Sequence, residues 1–379
     1  MHWSSTFTHG FDLDACCVYI PRCIGRPGVA AFEGVAMGSA YGPGAVADAA
    51  ISEYVERRHF RHRVRQTGPR CLAQMDPPEY LLQACYRQVR RSSEVKIPDA
   101  LPGCPVLRWM DWAPAHLPRN LIGLGGGEAP WEFELNPWRD SMAMACHRGD
   151  PQAIEAAVLE FVERQTTLAW WLGACTVRRI DQDLVARLAG HRATETRWEA
   201  LWLDAGLGAC TVLAAGESRD GGFCATAARL DPCDALSKAL QEADHFRAFL
   251  GQKRQAAVLG RVASRYERFA VESGGHGMPG RIRQGLAQAP VLGAGAFGQL
   301  PAQTLSQVRE RILDVSAHVY LYLAQESGKF GQHSLARLVS PDFYLHSDPG
   351  ANLNFDNAFS VRLGIAQPAM CHRTPTCLP

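Results

Sequence analysis

A nine-residue segment that occurs nearly twice in this chain constrains its fold more than any other feature. The segment AAISEYVER at 49–57 recurs as AAVLEFVER at 156–164, with six of nine letters identical. Both copies keep the pattern ExxER, whose charged positions i, i+3 and i+4 share one face of a helix. Each copy therefore predicts an amphipathic helix that presents two carboxylates and one guanidinium side by side.

The charged side chains of the repeat are candidate ligands for a metal ion and a nucleotide. They are Glu53, Glu56 and Arg57 in the first copy, and Glu160, Glu163 and Arg164 in the second. Magnesium is usually held by a few carboxylates together with the phosphate oxygens of a nucleotide. For one copy alone a solvated helix face would be the simpler interpretation. The near-repetition favours a functional site, and we expect the four glutamates to converge on one cavity.

Composition indicates a globular protein without a general affinity for polyanions. Of the 379 residues, 47% are apolar and 20% charged, and the net charge is +1. This balance predicts no binding to nucleic acid or to an anionic membrane. No apolar stretch reaches the length of a membrane span, and no secretory signal is visible. The thirteen cysteines form no CxxC pair and are expected to be reduced, so the predicted location is cytoplasmic.

Helical and extended patterns alternate along the chain, which predicts an α/β or α+β fold with two related halves packed face to face. We expect a single domain with an irregular N-terminal segment at 1–37, a core at 38–365 and a tail at 366–379. Helices are predicted at 43–61, 77–93, 150–172, 234–250 and 304–315. Strands are predicted at 104–112, 120–124, 200–203, 209–214, 318–324 and 335–339. The sequence GAGAFG at 293–298 formally fits GxGxxG, but Pro301 interrupts the helix that should follow, so we expect a loop.

The two ExxER segments and a third segment, ALSKALQEADHFR at 235–247, resemble the YcaO family. That resemblance runs from about Gly38 to the C-terminus. It is strengthened by ERRHF in the first motif, by Gln165 after the second, by Arg139-Asp140 and by SPDFYLH at 340–346. These segments resemble the corresponding segments of the heterocyclase subunits that modify microcins.

The resemblance implies a YcaO-like fold around a central ATP site and an ATP-dependent cyclodehydratase. Such an enzyme phosphorylates a backbone amide oxygen of a ribosomally made peptide and forms thiazoline or oxazoline rings from Cys, Ser or Thr. The four glutamates would be catalytic magnesium ligands. The nucleotide would be bound by five further side chains: Arg57, Arg164, Gln165, His245 and Arg247. A proline-containing tail that ends at Pro379 would reach the active site, and its alternative is a disordered chain end.

The resemblance also implies partners and leaves alternatives open. The expected partners are a precursor peptide, a leader-peptide-binding subunit and a flavin-dependent dehydrogenase. Ala49 and Ala156 replace serines that the family often has, and His245 replaces a glutamine, so the chain departs from the family pattern at these nucleotide contacts. Alternative functions are thioamide or amidine formation, or a catalytically inactive scaffold. Two complete ExxER motifs argue against the scaffold.

Overall fold

The computed structural model describes eleven stretches of the chain, and all structural statements below refer to them. They are residues 2–6, 16–21, 28–32, 36–40, 43–125, 129–190, 196–218, 221–258, 280–328, 330–348 and 352–365. Only the backbone is described for those of these residues that lie within 2–50, and for 218, 221, 245 and 248–258. The tail at 366–379, with Pro379, lies outside these ranges, as does the side chain of His245.

Ten α-helices lie in the described residues, and the longest carry the sequence motifs. They are α1 (Pro43–His62), α2 (Glu79–Val89), α3 (Pro130–Leu135), α4 (Asp150–Trp171), α5 (Gln182–Ala189), α6 (Pro232–Val258), α7 (Gly280–Gln288), α8 (Ala294–Gly298), α9 (Leu305–Leu313) and α10 (Ala358–Leu363). The five helices expected from the sequence are confirmed as α1, α2, α4, α6 and α9.

Fifteen strands in the described residues form three sheets. The first sheet contains β1 (His2–Thr6), β2 (Cys16–Pro21), β3 (Gly28–Phe32) and β4 (Ala36–Ala40). The second has the order β12 (Gly221–Arg229), β11 (Cys210–Ser218), β10 (Arg197–Asp204), β9 (Thr176–Ile180) and β13 (Val291–Leu292). The third has the order β5 (Thr67–Cys71), β6 (Ala100–Arg108), β14 (Tyr320–Gly328), β15 (Gly331–Val339) and β8 (Met144–His147), with β7 (Pro114–Pro118) paired to β6.

The predicted mixture of helices and strands is confirmed. The direction of strand pairing favours the α+β class over the α/β class. Every described pair is antiparallel except β13 with β9. Antiparallel sheets with helices on their faces are typical of α+β proteins. No described helix is both long and apolar enough to cross a membrane.

Three local predictions were wrong. Residues 1–37, expected to be irregular, contain β1 to β3, because backbone pairing does not require an alternating side-chain pattern. The strand expected at 120–124 lies earlier, at Pro114–Pro118, where the prolines stand at the two ends of a strand that pairs on one side only. The GAGAFG segment is the short helix α8 rather than a loop, with Phe297 buried.

The chain divides into two compact units. Of the described residues, one unit contains those up to 51 and those within 175–305, and the other contains those within 52–174 and those after 305. The ExxER residues of both copies belong to the second unit, so the repeat does not correspond to one motif in each unit. In the first unit, α6 packs on β11 and β12 through small and aliphatic side chains. In the second unit, α4 packs on β15 and β8.

Local sequence explains where the two motif helices begin and end. Helix α1 begins at Pro43, and its last turn carries His59, Arg61 and His62, which interact favourably with the C-terminal dipole. Helix α4 begins at Asp150-Pro151, and Gly149 is its capping residue. Gly173, with φ of 84°, follows the end of α4, where a left-handed residue is favoured.

Candidate functional site

The two ExxER motifs form one charge cluster in the second unit. The carboxylate of Glu160 on α4 acts on the pKa of both Glu56 and Arg57 on α1. In return, Arg57 and Glu53 act on the pKa of Glu160. Segments that are far apart in sequence are therefore close enough in space to interact electrostatically, as a shared ligand site requires.

In the first copy, Arg57 is closely paired with the first glutamate. Its Nε and Nη2 atoms each lie 2.7 Å from Oε1 of Glu53. Glu56 is buried, with 7% of its surface exposed. Burial, and after it the nearby Glu53 carboxylate, raises the pKa of Glu56 well above its usual value, although Arg57 opposes the shift. Burial lowers the pKa of Arg57, but Glu53 and Glu56 outweigh that effect and raise it.

In the second copy, the guanidinium is less closely paired. The Nε atom of Arg164 lies 3.7 Å from Oε1 of Glu160 and 4.0 Å from Oε1 of Glu163. Burial raises the pKa of Glu160 to about 8, with Arg164 opposing the shift and Glu163 adding to it. A carboxylate with this pKa is poorly stabilised as an anion by the protein alone. A bound cation would favour its ionised form.

Arg337 on β15 is a member of this cluster that the sequence analysis missed. It is buried, and it donates from Nη1 to the backbone oxygen of Ile122 at 2.6 Å and from Nη2 to that of Asp140 at 3.2 Å. Burial lowers its pKa to about 10, while Asp140, Glu160 and Glu56 act to raise it. The only sequence signal was an arginine within the apolar strand segment LARLV.

The cluster fits a magnesium–nucleotide complex better than an isolated ion. Among the described residues, no three Asp, Glu, His or Cys side chains are placed to hold a metal ion by themselves. The expected cage of four glutamates is therefore not assembled as a protein-only site. Magnesium commonly takes one or two carboxylates and completes its coordination with phosphate oxygens and water. Two carboxylates with raised pKa values, Glu56 and Glu160, beside guanidiniums that can bind phosphate, match that ligand set.

Gln165, expected to bind the nucleotide, instead holds the backbone of Tyr344. Its side chain is fully buried, with Nε2 donating to the Tyr344 oxygen at 2.8 Å and Oε1 accepting from the Tyr344 nitrogen at 3.1 Å. Both ends of the amide are thus engaged. The expectation is corrected: Gln165 connects α4 to the SPDFYLH segment, because position 165 falls on the face of the helix that points into the core.

The Arg139-Asp140 pair also makes structural contacts. The Oδ2 atom of Asp140 accepts hydrogen bonds from the backbone nitrogen and the hydroxyl of Ser347, both at 2.7 Å. Its Oδ1 atom accepts from the Met142 nitrogen at 3.0 Å. Asp140 therefore joins the segment before α4 to the residue that follows SPDFYLH.

Arg247 lies on α6, in the first unit. Its Nη2 atom lies 2.5 Å from Oδ1 of the buried Asp244, and its Nη1 atom donates to Oγ1 of Thr196 at 3.0 Å. The guanidinium carbon lies 5.7 Å from the centre of the Phe223 ring. The side chain is thus held at three points, and its predicted role in nucleotide binding stays a prediction.

The comparisons with known proteins agree on the family. Residues 37–342 match the family model described as YcaO cyclodehydratase, ATP- and Mg²⁺-binding. The Microcin B17-processing protein McbD of Escherichia coli is 26% identical over 139 residues, which is 36% of this chain and 35% of that protein. The alignment thus spans about a third of the length of that relative.

Solved structures show the same fold. A chain of the E. coli microcin synthetase McbBCD complex superposes with a TM-score of 0.78 at 18% identity, covering 96% of this chain and 98% of the other. A heterocyclase in complex with substrate and cofactor gives a TM-score of 0.62 at 16% identity, covering 90% and 49%. The YcaO protein of Methanopyrus kandleri, bound with AMPPCP and Mg²⁺, gives 0.54 at 13% identity, covering 90% and 85%.

Proposed function

The chain belongs to the YcaO cyclodehydratase family, whose members are described as ATP- and Mg²⁺-binding, and we propose that it is an ATP-dependent peptide heterocyclase. In the proposed reaction, a Cys, Ser or Thr side chain adds to the preceding backbone carbonyl carbon. The resulting oxyanion attacks the γ-phosphorus of ATP, and ADP leaves. Loss of phosphate from carbon and of the proton from nitrogen then gives the C=N bond of a thiazoline or oxazoline.

The observation that carries this proposal is the convergence of the two ExxER motifs into one charge cluster. Phosphoryl transfer depends mainly on positioning and on neutralising charge at the phosphates. Magnesium, when bound, would stabilise the negative charge that develops on the phosphate oxygens. The carboxylates that would hold the ion are Glu53, Glu56, Glu160 and Glu163. The phosphate oxygens of the nucleotide would supply the remaining ligands.

The arginines have distinct proposed roles. Arg57 is close to Glu53 and would keep that carboxylate oriented. Arg164 lies farther from its own motif carboxylates and would contact phosphate oxygens. Arg247 and His245, on α6, stay predicted nucleotide-binding residues.

The first test is the removal of one carboxylate charge in each motif. Glu53→Gln and Glu160→Gln should each lower ATP-dependent peptide dehydration by about a hundredfold or more, because each removes a magnesium ligand. Mass spectrometry would follow the loss of one water per ring, and ADP release would be measured in parallel. Glu79→Gln, an exposed carboxylate on α2, is the matched control and should keep full activity. Near-normal turnover in both motif variants would refute the proposal.

We also propose that the chain works in a multisubunit assembly on a ribosomally made peptide. The support is the fold match to a chain of the McbBCD synthetase complex, which has also been solved with pro-MccB17 bound. A leader-peptide-binding subunit and a flavin-dependent dehydrogenase are the partners proposed here, in the cytoplasm. A product in which sulfur replaces the amide oxygen would indicate thioamide formation instead. A product in which nitrogen replaces that oxygen would indicate amidine formation.

The C-terminal tail is a separate proposal, with Pro379 as a catalytic residue. Proline lowers the entropy lost when a chain end becomes ordered, which suits a tail directed at an active site. Deleting 376–379 should leave a folded chain whose dehydration activity falls at least about tenfold. Circular dichroism would check the fold, and full activity of the truncated chain would show that the tail is dispensable.

A further inference from the structure

Helix α1 carries a polar stripe that continues beyond its ExxER motif. Glu56 and His59 are spaced i and i+3, so they lie on one face of the helix, and Arg63 follows its last residue, with its backbone nitrogen donating to the His59 oxygen at 2.7 Å. All three interact with side chains of the third sheet: Glu56 with Arg337, and the other two with Glu326. The helix is thus joined to the sheet by charged and hydrogen-bonding groups along two turns.

His59 is the central member of this stripe and uses both ring nitrogens. Its Nδ1 atom lies 2.7 Å from Oε1 of Glu326, and its Nε2 atom lies 2.8 Å from the Tyr322 hydroxyl. Only 3% of His59 is exposed, and Tyr322 is fully buried. Burying an imidazole costs free energy unless its nitrogens are hydrogen-bonded. The two contacts therefore define one orientation of His59, and with it the rotation of α1 on the sheet.

Strand register places these contacts next to the charge cluster. Tyr322 on β14 is the direct cross-strand partner of Arg337 on β15. Directly opposed residues in an antiparallel pair have Cα atoms about 4.5–5.5 Å apart and side chains on the same face. The contact point of His59 and the arginine that acts on Glu56 are therefore neighbours on one sheet surface.

We propose that His59, through Tyr322 and Glu326, is a positioning residue that holds Glu56 in place for binding magnesium and nucleotide. The inference rests on the proposed function of the ExxER cluster and adds a residue outside it. The second motif has no counterpart, because the position equivalent to His59, 107 residues later, is Thr166. Groups that orient a ligand residue typically change metal affinity or activity by about tenfold to a hundredfold when removed.

The test uses the full-length chain and the non-hydrolysable nucleotide AMPPCP, titrated calorimetrically with and without Mg²⁺. His59→Leu removes both hydrogen bonds and fills the space with an apolar side chain of similar size. Tyr322 keeps its contact with the Arg65 nitrogen, and Glu326 keeps Arg63, so the fold should be retained. We expect His59→Leu to weaken AMPPCP binding about tenfold in Mg²⁺ and to leave binding in EDTA unchanged.

Two further variants separate positioning from lost stability. His59→Gln can restore the bond to Tyr322 and should recover at least half of the lost binding free energy. Val89→Ala, at a buried site on α2, lowers the stability of the same unit without touching the stripe and should bind AMPPCP normally. Unchanged Mg²⁺-dependent affinity in His59→Leu would overturn the inference, as would an equal loss in Val89→Ala.

The failure of this inference differs from the failure of the proposed function. If Glu53→Gln and Glu160→Gln abolish Mg²⁺-dependent binding while His59→Leu binds like the unaltered chain, only the positioning role is wrong. If the unaltered chain shows no Mg²⁺-dependent binding of AMPPCP, the assignment of the ExxER cluster fails, and the role of His59 fails with it.

Discussion

Helices α1 and α4 carry nearly the same nine residues but are attached to the protein in different ways. Helix α1 is joined to the sheet by the polar stripe, in which His59 contacts Tyr322 and Glu326. Helix α4 is held by the Gln165 amide, which bonds the Tyr344 backbone, and by apolar packing that includes the edge-on contact of Phe161 with Phe343. A repeated ligand motif therefore does not require a repeated structural support.

The two copies also differ in how their charges are balanced. Arg57 lies 2.7 Å from Glu53, whereas Arg164 lies 3.7 Å from the equivalent Glu160. In the first copy the second glutamate, Glu56, is the buried one, and Arg337 opposes the rise in its pKa. In the second copy it is the first glutamate, Glu160, whose pKa rises to about 8. The same three charged letters thus give two electrostatically distinct half-sites.

The largest expected difference between the supports of α1 and α4 is in their contribution to the free energy of unfolding. Gln165→Leu should lower the free energy of unfolding by about 2–4 kcal/mol, because it leaves the buried N–H and C=O of Tyr344 without their partner. Urea unfolding followed by circular dichroism would measure this loss. His59→Leu should cost less, since Tyr322 and Glu326 each keep another contact.

The two variants should therefore show opposite patterns. Gln165→Leu should lose more stability and, where folded, still bind AMPPCP in Mg²⁺. His59→Leu should lose more binding and less stability. If both variants lose stability and binding in the same proportion, the two helices are supported in equivalent ways and the comparison fails.

A smaller effect concerns the pH dependence of stability without magnesium. The pKa of Glu160 is raised from its ordinary 4.5 to about 8 in the folded chain, so the folded state binds more protons than the unfolded state between these values. The unfolding free energy of the chain in EDTA should therefore fall as pH rises through that window and level off above it. The raised pKa of Glu56 adds to the same trend.

Glu160→Gln should flatten this pH dependence, and Glu79→Gln on the exposed face of α2 should not. Thermal unfolding in EDTA at several pH values would measure both. A Glu160→Gln slope equal to that of the unaltered chain would show that Glu160 titrates in its ordinary range. The electrostatic difference between the two copies would then rest on Glu56 alone.

Sequence patterns predicted elements far better than they predicted contacts. The motif helices, the third-segment helix α6 and most long strands were confirmed, because helical periodicity is visible within a few turns. Strands β1 to β3 were missed because their letters do not alternate, and β7 was displaced because its prolines indicate a turn. The family model matches the chain over 37–342, in agreement with the resemblance carried by the motifs.

By itself the sequence determined that two helices each present two carboxylates and a guanidinium on one face, because positions i, i+3 and i+4 are neighbours through local helix geometry alone. Only the tertiary structure decided what surrounds them. Arg337 enters the cluster from β15, Gln165 turns into the core to bind Tyr344, and His59 meets Tyr322 from 263 positions away. Such contacts depend on strand register and helix packing, which arise from the whole chain and leave no periodic signal in the sequence.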